Sequence, residues 1–381
     1  MAEEKKKPPT LDTIPKVPLE LIRDHSDYHA LCALKKVSRH FRQIDTNYTP
    51  KFETMDFSFV DEGLGFRSNT EAMTLSASLT PPGLSELLKD PENKDAALFY
   101  SDIEYRAEGD GCIVVRPHET DDLGTHFPEE NQMDMFFADM KLPLQRVAEL
   151  DSWRLEDSSF VEAGNDWFRR IGEILAGRKK MIKVKKLYFT VLNENSVMSV
   201  LPFIDPEVLT DLTVMSPNDD EDDLPIVLMN QIVATEQWRR LTTVNLAQCV
   251  MPNDLNAFLH LTTVTITNAE LKTEQVFGLK NICLQSNSIE AINCQTVKII
   301  EYQFPAQVFT DYVYVHRFRH PGEERVDDMY CYIHPERNDF IVGVICDYPI
   351  VFQNRLEFKK LRGSNIPEEL WLAREMGELR L

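Results

Sequence analysis

The chain has 381 residues, 43% hydrophobic and 27% charged, which describes a globular protein with room for two or three domains and a substantial core. Forty-one basic residues against 62 acidic ones leave a formal charge of −21, which repels a phosphate backbone and argues against nucleic acid as a partner. No apolar run approaches the roughly 20 residues of a membrane span, and the seven scattered cysteines form no C-x-x-C pair, so neither a membrane partner nor a zinc site is expected.

Residues 1–14, with Lys5-Lys6-Lys7-Pro8-Pro9, read as a mobile tail. The polar start Met1-Ala2-Glu3-Glu4 lacks the apolar region of a signal peptide. Together with the unpaired cysteines this sets the expectation of a reducing compartment, the cytoplasm first and the nucleus second. Over residues 15–46 two short helices are predicted. The first begins at Pro15-Lys16-Val17-Pro18-Leu19-Glu20-Leu21-Ile22, with Pro18 at a first-turn position where its missing N–H costs nothing. The second carries Leu31, Leu34, Val37, Phe41 and Ile44 on one stripe and Lys35, Lys36, Arg39, His40 and Arg42 on the other face. A helix pair this small must lean on something else, either the rest of the chain or a partner.

The stretch Val17-Pro18-Leu19-Glu20-Leu21-Ile22-Arg23, followed by Leu34-Lys35-Lys36-Val37-Ser38-Arg39-His40-Phe41-Arg42, resembles an F-box, and in its second half the nematode-expanded F-box family. The resemblance implies binding to a Skp-type adaptor, and through it to a cullin, by Pro18, Leu19, Leu21, Ile22, Leu31, Leu34 and Val37. Between Arg23 and Leu31 the chain is short of that pattern by about four residues, close to one helical turn.

Residues 47–150 read as a β-rich connecting region. Phe52, Met55, Phe57 and Phe59, then Met73-Thr74-Leu75-Ser76, Leu98-Phe99-Tyr100 and Cys112-Ile113-Val114-Val115, alternate as antiparallel strands, punctuated by Pro81-Pro82-Gly83 and Gly109-Asp110-Gly111. Residues 116–130 are polar enough for an exposed loop. A helix is then predicted from Ser159, whose spacing to Glu162 suits a capping box, with Phe160, Trp167, Phe168, Ile171, Ile174 and Leu175 on one face and Gly177 as its stop. The cluster Arg178-Lys179-Lys180 suits the negative end of that helix; the other reading is an anion or nuclear-import patch.

Residues 151–308 hold a ladder. An apolar-x-x-apolar-x-apolar unit recurs as Val184-x-x-Leu187-x-Phe189, Leu209-x-x-Leu212-x-Val214, Leu241-x-x-Val244-x-Leu246, Leu261-x-x-Val264-x-Ile266, Leu279-x-x-Ile282-x-Leu284 and Cys294-x-x-Val297-x-Ile299. Each unit suits a strand buried on one face, and the irregular recurrence suits a degenerate leucine-rich solenoid. An ordinary α/β sheet is the alternative. The asparagine or cysteine that such repeats carry three places after the last apolar residue occurs as Cys249 and Asn287. The fold class expected is α+β: a small helical F-box-like segment, then a leucine-rich-repeat-like α/β solenoid, with antiparallel strands at both ends.

Within the ladder, Val184-Lys185-Lys186-Leu187, Val200-Leu201-Pro202-Phe203-Ile204-Asp205-Pro206-Glu207-Val208-Leu209 and Ala234-Thr235-Glu236-Gln237-Trp238 resemble the FTH domain that follows the F-box in the same family. That resemblance implies a target-binding role. In a solenoid the free strand positions share one surface, which here would offer Tyr188, Thr190, Thr213, Thr243, Asn245, Thr263, Thr265 and Asn281 to a target protein. Threonine also suits any solvated strand face, so these residues have a purely structural reading too. The acidic run Asp219-Asp220-Glu221-Asp222-Asp223 lacks the glycine and spacing of a calcium loop and reads as a solvated insertion, or a lure for a basic partner.

From 309 to 381 hairpin strands are predicted at Tyr312-Val313-Tyr314-Val315, 329–333, 340–345 and 350–352, then a terminal helix over 366–372. Motifs for catalysis are missing: no H-E-x-x-H, no G-x-S-x-G, no phosphate-binding or dinucleotide glycine loop. His316, His320 and His334 could meet across hairpin ends, though ordinary surface histidines are the better reading of them. The sequence therefore predicts no catalytic residue, cofactor or metal. It reads as a ubiquitin-ligase substrate adaptor, or as a stand-alone interaction scaffold whose shortened F-box no longer engages the adaptor.

Overall fold

The computed structural model describes residues 52–61, 73–80, 101–115, 124–158, 162–217, 227–252, 254–267, 270–299, 313–319, 326–333, 340–347 and 354–361. The tail, the F-box-like helices, Ser159 of the expected capping box, the acidic run and the terminal helix lie outside them. The described residues form two compact units. The first runs to Leu155 and includes 162–184; the second holds Glu156–Ser158 and continues from Lys185.

The first unit contains β1 (Thr54–Asp61), β2 (Met73–Thr80), β3 (Ser101–Glu108), β4 (Gly111–Val115), β5 (Thr125–Phe127), helix α1 (Gln132–Arg146), β6 (Glu149–Asp157), whose last two residues belong to the second unit, and helix α2 (Glu162–Ala176). Its sheet runs β6-β1-β2-β3-β4-β5. Period-two alternation on β1 to β3 turns Met55, Phe57, Phe59, Leu75, Ala77, Leu79, Ile103 and Tyr105 to one face, all buried. Antiparallel register aligns them in rows, Phe57 with Ala77 and Ile103, Phe59 with Leu75 and Tyr105. The two helices supply aromatic rings to that face. Phe136 meets Phe57 and Tyr105 edge-on at 5.5 and 5.6 Å, and Trp167 lies 6.2 Å from Phe59. Gly109 makes the β3–β4 turn with φ 59°, a left-handed value that glycine adopts without a Cβ penalty.

Three elements here were not among the predicted ones. Helix α1 starts at Asn131, whose Oδ1 accepts from Met133 N at 2.8 Å, and buries Met133, Phe136, Phe137, Met140 and Leu144 along one stripe. Strand β6 follows after Val147, and the short strand β5 occupies part of the expected 116–130 loop. The basic cluster also acts differently from expectation. Arg178 donates to the carbonyls of Leu144 and Val147, both at 2.5 Å, so it closes the C-terminal end of α1 rather than only that of α2. Burial without a carboxylate partner pulls its guanidinium pKa down.

The second unit contains β7 (Lys183–Thr190), whose first two residues belong to the first unit, α3 (Glu194–Met198), β8 (Asp211–Met215), β9 (Val227–Leu228), α4 (Glu236–Arg240), β10 (Thr243–Ala247), β11 (Cys249–Val250), β12 (Thr263–Thr267), β13 (Glu270–Leu271), α5 (Thr273–Gln285) and β14 (Ala291–Ile299). The strands β15 (Val313–Arg319), β16 (Val326–Ile333), β17 (Phe340–Asp347) and β18 (Asn354–Leu361) follow. Strands β7, β8, β10, β12 and β14 form a parallel ladder in that order. Parallel neighbours need a crossover, and α3, α4, α5 and the 3-10 turns Leu201–Phe203, Ile232–Ala234 and Leu255–Phe258 lie in those connections.

The register repeats without slip. Leu187, Leu212, Val244, Val264 and Ile292 stand in one row, and Phe189, Val214, Leu246, Ile266 and Cys294 in the next, every one at most 1% exposed. At the start of each strand a turn bond ties one repeat to the last: Thr210 N to Lys185 O, Thr242 N to Thr210 O, Thr262 N to Thr242 O and Glu290 N to Thr262 O, at 2.8 to 3.0 Å. The first four predicted units thus sit as expected.

The last two do not. Leu279-x-x-Ile282 lies on α5, because a spacing of three also places apolar residues on one helical face, here with Val276 and Cys283. The fifth strand is β14, whose aligned unit is Ile289-x-x-Ile292-x-Cys294; Cys294 holds the last apolar place of that unit, not the first of a sixth. Beyond it, β18 pairs antiparallel with β14, and β17, β16 and β15 continue as an antiparallel meander. Those strands agree with the hairpins predicted around 312–315, 329–333 and 340–345, while residues 350–352 lie outside the described ones and β18 begins after them.

Because Thr243 and Thr263 are register partners, a charge pair there reads the alignment directly. Thr243→Glu with Thr263→Lys should be more stable than Thr243→Glu with Thr263→Glu by about 0.5–2 kcal/mol, measured by urea unfolding with both single variants as references.

Candidate functional site

The ladder has one face turned into the buried rows and one that is not. On the second face β7 places Lys186, Tyr188 and Thr190, β8 Asp211, Thr213 and Met215, β10 Thr243, Asn245 and Ala247, β12 Thr263, Thr265 and Thr267, and β14 Ala291 and Asn293. Most are half-buried, as residues on the open side of a single sheet are; Thr213 is 8% exposed. The central row is Tyr188, Thr213, Asn245, Thr265 and Asn293, each an uncharged hydrogen-bonding group on a successive strand.

Of the predicted target-binding residues, Tyr188, Thr190, Thr213, Thr243, Asn245, Thr263 and Thr265 stand together on this face. Asn281 does not: it is exposed on α5. Asn293 occupies the place expected for it, and the unit Ile289-x-x-Ile292-x-Cys294 is the signal that would have found it. At a strand spacing of about 4.8 Å the row spans roughly 19 Å. Such a face is a fraction of the roughly 800 Å² that a standard protein interface buries per partner, so the rim would have to contribute.

Among the described side chains of this face, charge is confined to Lys186 and Asp211, which are register partners of opposite sign. At its centre, Asn245 Oδ1 is enclosed and has no hydrogen-bond partner, the only such side-chain atom on this face among the described residues. An enclosed acceptor left unpaired costs on the order of 1–3 kcal/mol.

The repeats are tied to one another by side chains beneath and between the strands. Cys249, three places after Leu246, donates its thiol to the carbonyls of Val214 at 3.5 Å and Ala247 at 3.4 Å. It bridges neighbouring repeats as that position requires. Asn287, the other candidate for the role, follows α5 and is exposed. The Glu236-Gln237-Trp238 element bolts three connections together. Thr235 Oγ1 accepts from Trp238 N at 3.1 Å, Gln237 donates back to the carbonyl of Ile204 at 2.8 Å, and the Trp238 indole donates forward to that of Ala257 at 2.8 Å. The same indole lies edge-on to Phe258 at 5.2 Å. The buried Glu194 carboxylate accepts from Gln231 N and Ile232 N and so caps the 3-10 turn Ile232–Ala234.

Residues 165–311 match the FTH domain. The match begins in α2 and runs past β14, so the candidate face lies wholly within it, as do the Gln237–Trp238 staple and the turn bonds. The FTH match leaves out residues 15–46 and β15 to β18. No curated protein matches the chain.

Other parts offer less. Between α1 and α2 in the first unit lies an open groove of about 680 Å³, lined by Asp134, Phe137, Lys141, Arg169, Arg170 and Glu173 among others. Its arginines are already engaged: Arg170 with Asp134 and Asp166 at 2.6 and 2.9 Å, and Arg169 with Asp166 and Glu173. The Arg169 hydrogen bond is the main reason the Asp166 carboxyl lies below its usual range. No group of three or more metal-capable side chains occurs among the described residues, and His320 and His334 of the histidine set lie outside them. No described helix is long and apolar enough to cross a membrane.

Burial raises the thiols of Cys249 and Cys294 to about 12 and that of Cys112 to about 11, so all three stay protonated at neutral pH. They should escape alkylation by iodoacetamide in the native protein and react after denaturation, read peptide by peptide by mass spectrometry. Since folding raises these pKa values above 9.0, the stability they add should hold below about pH 9 and fall as pH climbs toward 12. Replacing Cys249 by alanine should flatten that alkaline decline.

Proposed function

We propose that this protein is the substrate-recognition subunit of a cullin-type ubiquitin ligase of the SCF class. In this reading residues 15–46 bind a Skp-type adaptor through Pro18, Leu19, Leu21, Ile22, Leu31, Leu34 and Val37, and the free face of the ladder binds the target. The observation that carries it is order along the chain: an F-box-like sequence stands before a segment that matches the FTH domain. The neutral, hydrogen-bonding free face inside that match supports the second half of the reading. Such a subunit needs no catalytic residue, metal or cofactor. It acts by raising the effective concentration of the target at the ligase.

A second reading has its own observation. The chain lacks about one helical turn between Arg23 and Leu31 relative to the F-box pattern, which would remove apolar contacts to the adaptor. The protein would then be an interaction scaffold that works without a ligase. Calorimetry with a purified Skp-type adaptor separates the two. Submicromolar binding by the chain, abolished by Leu34→Asp with the thermal melt of the ladder unchanged, is the result expected of a ligase subunit. Binding only by a version with one turn of apolar residues restored before Ser26 would establish the scaffold instead. Loss of the melt in Leu34→Asp would make that leucine ordinary core.

A further inference from the structure

The target reading leaves open what kind of surface the ladder recognises, and the chemistry of the face restricts it. Phosphate and carboxylate groups are bound where arginine or lysine donors converge. Across the described side chains of this face there is one cation, Lys186, and its register partner is Asp211. A phosphorylated or acidic segment would find on these strands a single lysine with a carboxylate at the register position opposite it, not a converging set of cationic donors. A strongly basic segment would find one carboxylate, already beside a lysine. What the face does offer is a row of phenol, hydroxyl and amide groups on five consecutive strands, with an orphaned acceptor at the middle position.

An asparagine amide matches a peptide group, donor to acceptor and acceptor to donor. The last torsion of its side chain is soft, so a small rotation brings the enclosed oxygen of Asn245 to a donor laid across the row. A row of roughly 19 Å accommodates about six residues of extended chain at ~3.4 Å each. We propose that the free face binds an extended, uncharged and unphosphorylated stretch of the target, about six residues long, with Asn245 pairing to its backbone. This rests on the reading of the ladder as the target site and makes it specific: recognition would not wait for phosphorylation of the segment bound.

The test pans a phage-displayed library of random dodecapeptides on the full chain, with counter-screens on Asn245→Asp and Thr265→Lys. The first variant keeps the shape of the side chain and adds a charge; the second fills the row next to it. Thermal melts and circular dichroism verify that both fold. Binders that lose at least about tenfold in affinity on either variant, carry no net charge, and weaken about tenfold again when a central phosphoserine is synthesised in are the expected result. Face-dependent binders that are charged, or that need the phosphoserine, would overturn this inference and leave the target site where it is. A library whose binders are all indifferent to both variants would overturn the target site as well.

Discussion

Everything in the second unit depends on one constraint: a strand of a parallel ladder cannot satisfy its own backbone. Each strand between β7 and β14 leaves N–H and C=O groups that only the next repeat can pair. The chain meets this by repeating a register with no slip, so that Leu187, Leu212, Val244, Val264 and Ile292 fall in one row although their connections differ in length. The connections can vary because they are tied at fixed points. Turn bonds from Thr210, Thr242, Thr262 and Glu290 start each strand at the same level, and Gln237 and Trp238 fasten one connection to those before and after it. The continuous free face is a by-product of that alignment. A single slipped residue would interchange Asn245 with its buried neighbours.

The first unit solves a different problem. Its antiparallel strands pair locally, and its core is aromatic: Phe57, Phe59, Tyr105, Phe136, Trp153 and Trp167 all lie within one network of edge-on and tilted contacts. The groove between its helices is lined by charge, but its arginines are engaged by Asp134, Asp166 and Glu173. That is why the groove is the less persuasive site and the neutral face of the ladder the more persuasive one.

Much of this was legible in the chain, and the exceptions have physical causes. Strands are half-buried at period two, so the four ladder units from Val184 to Ile266 could be read directly, and seven of the eight residues proposed for the face lie on it. Leu279-x-x-Ile282 failed because a spacing of three belongs to a helix as well as to this repeat; the thirteen residues of α5, more than a strand needs, were the clue. Helix α1 escaped notice although Asn131 caps it and Met133, Phe136, Phe137, Met140 and Leu144 mark its stripe; Pro143 near its end blurs the pattern. The second job of Arg178 was beyond sequence reasoning. Its carbonyl partners are 31 and 34 residues away, and only the packing of α2 against α1 brings them into reach.

The antiparallel pairing of β14 with β18 also sets an order in time. Ladder strands up to β14 can zip as they emerge from the ribosome, each onto the one before. The open edge of β14 must wait for Asn354–Leu361, which is made only after the whole meander segment. At the usual pace of ~5–20 residues per second that delay lasts roughly 3–12 seconds. For that interval every nascent chain carries a bare, hydrogen-bonding strand edge of the kind that invites pairing with a neighbouring chain. Polysome crowding and chaperone supply, rather than the stability of the finished ladder, would then govern the yield of folded protein.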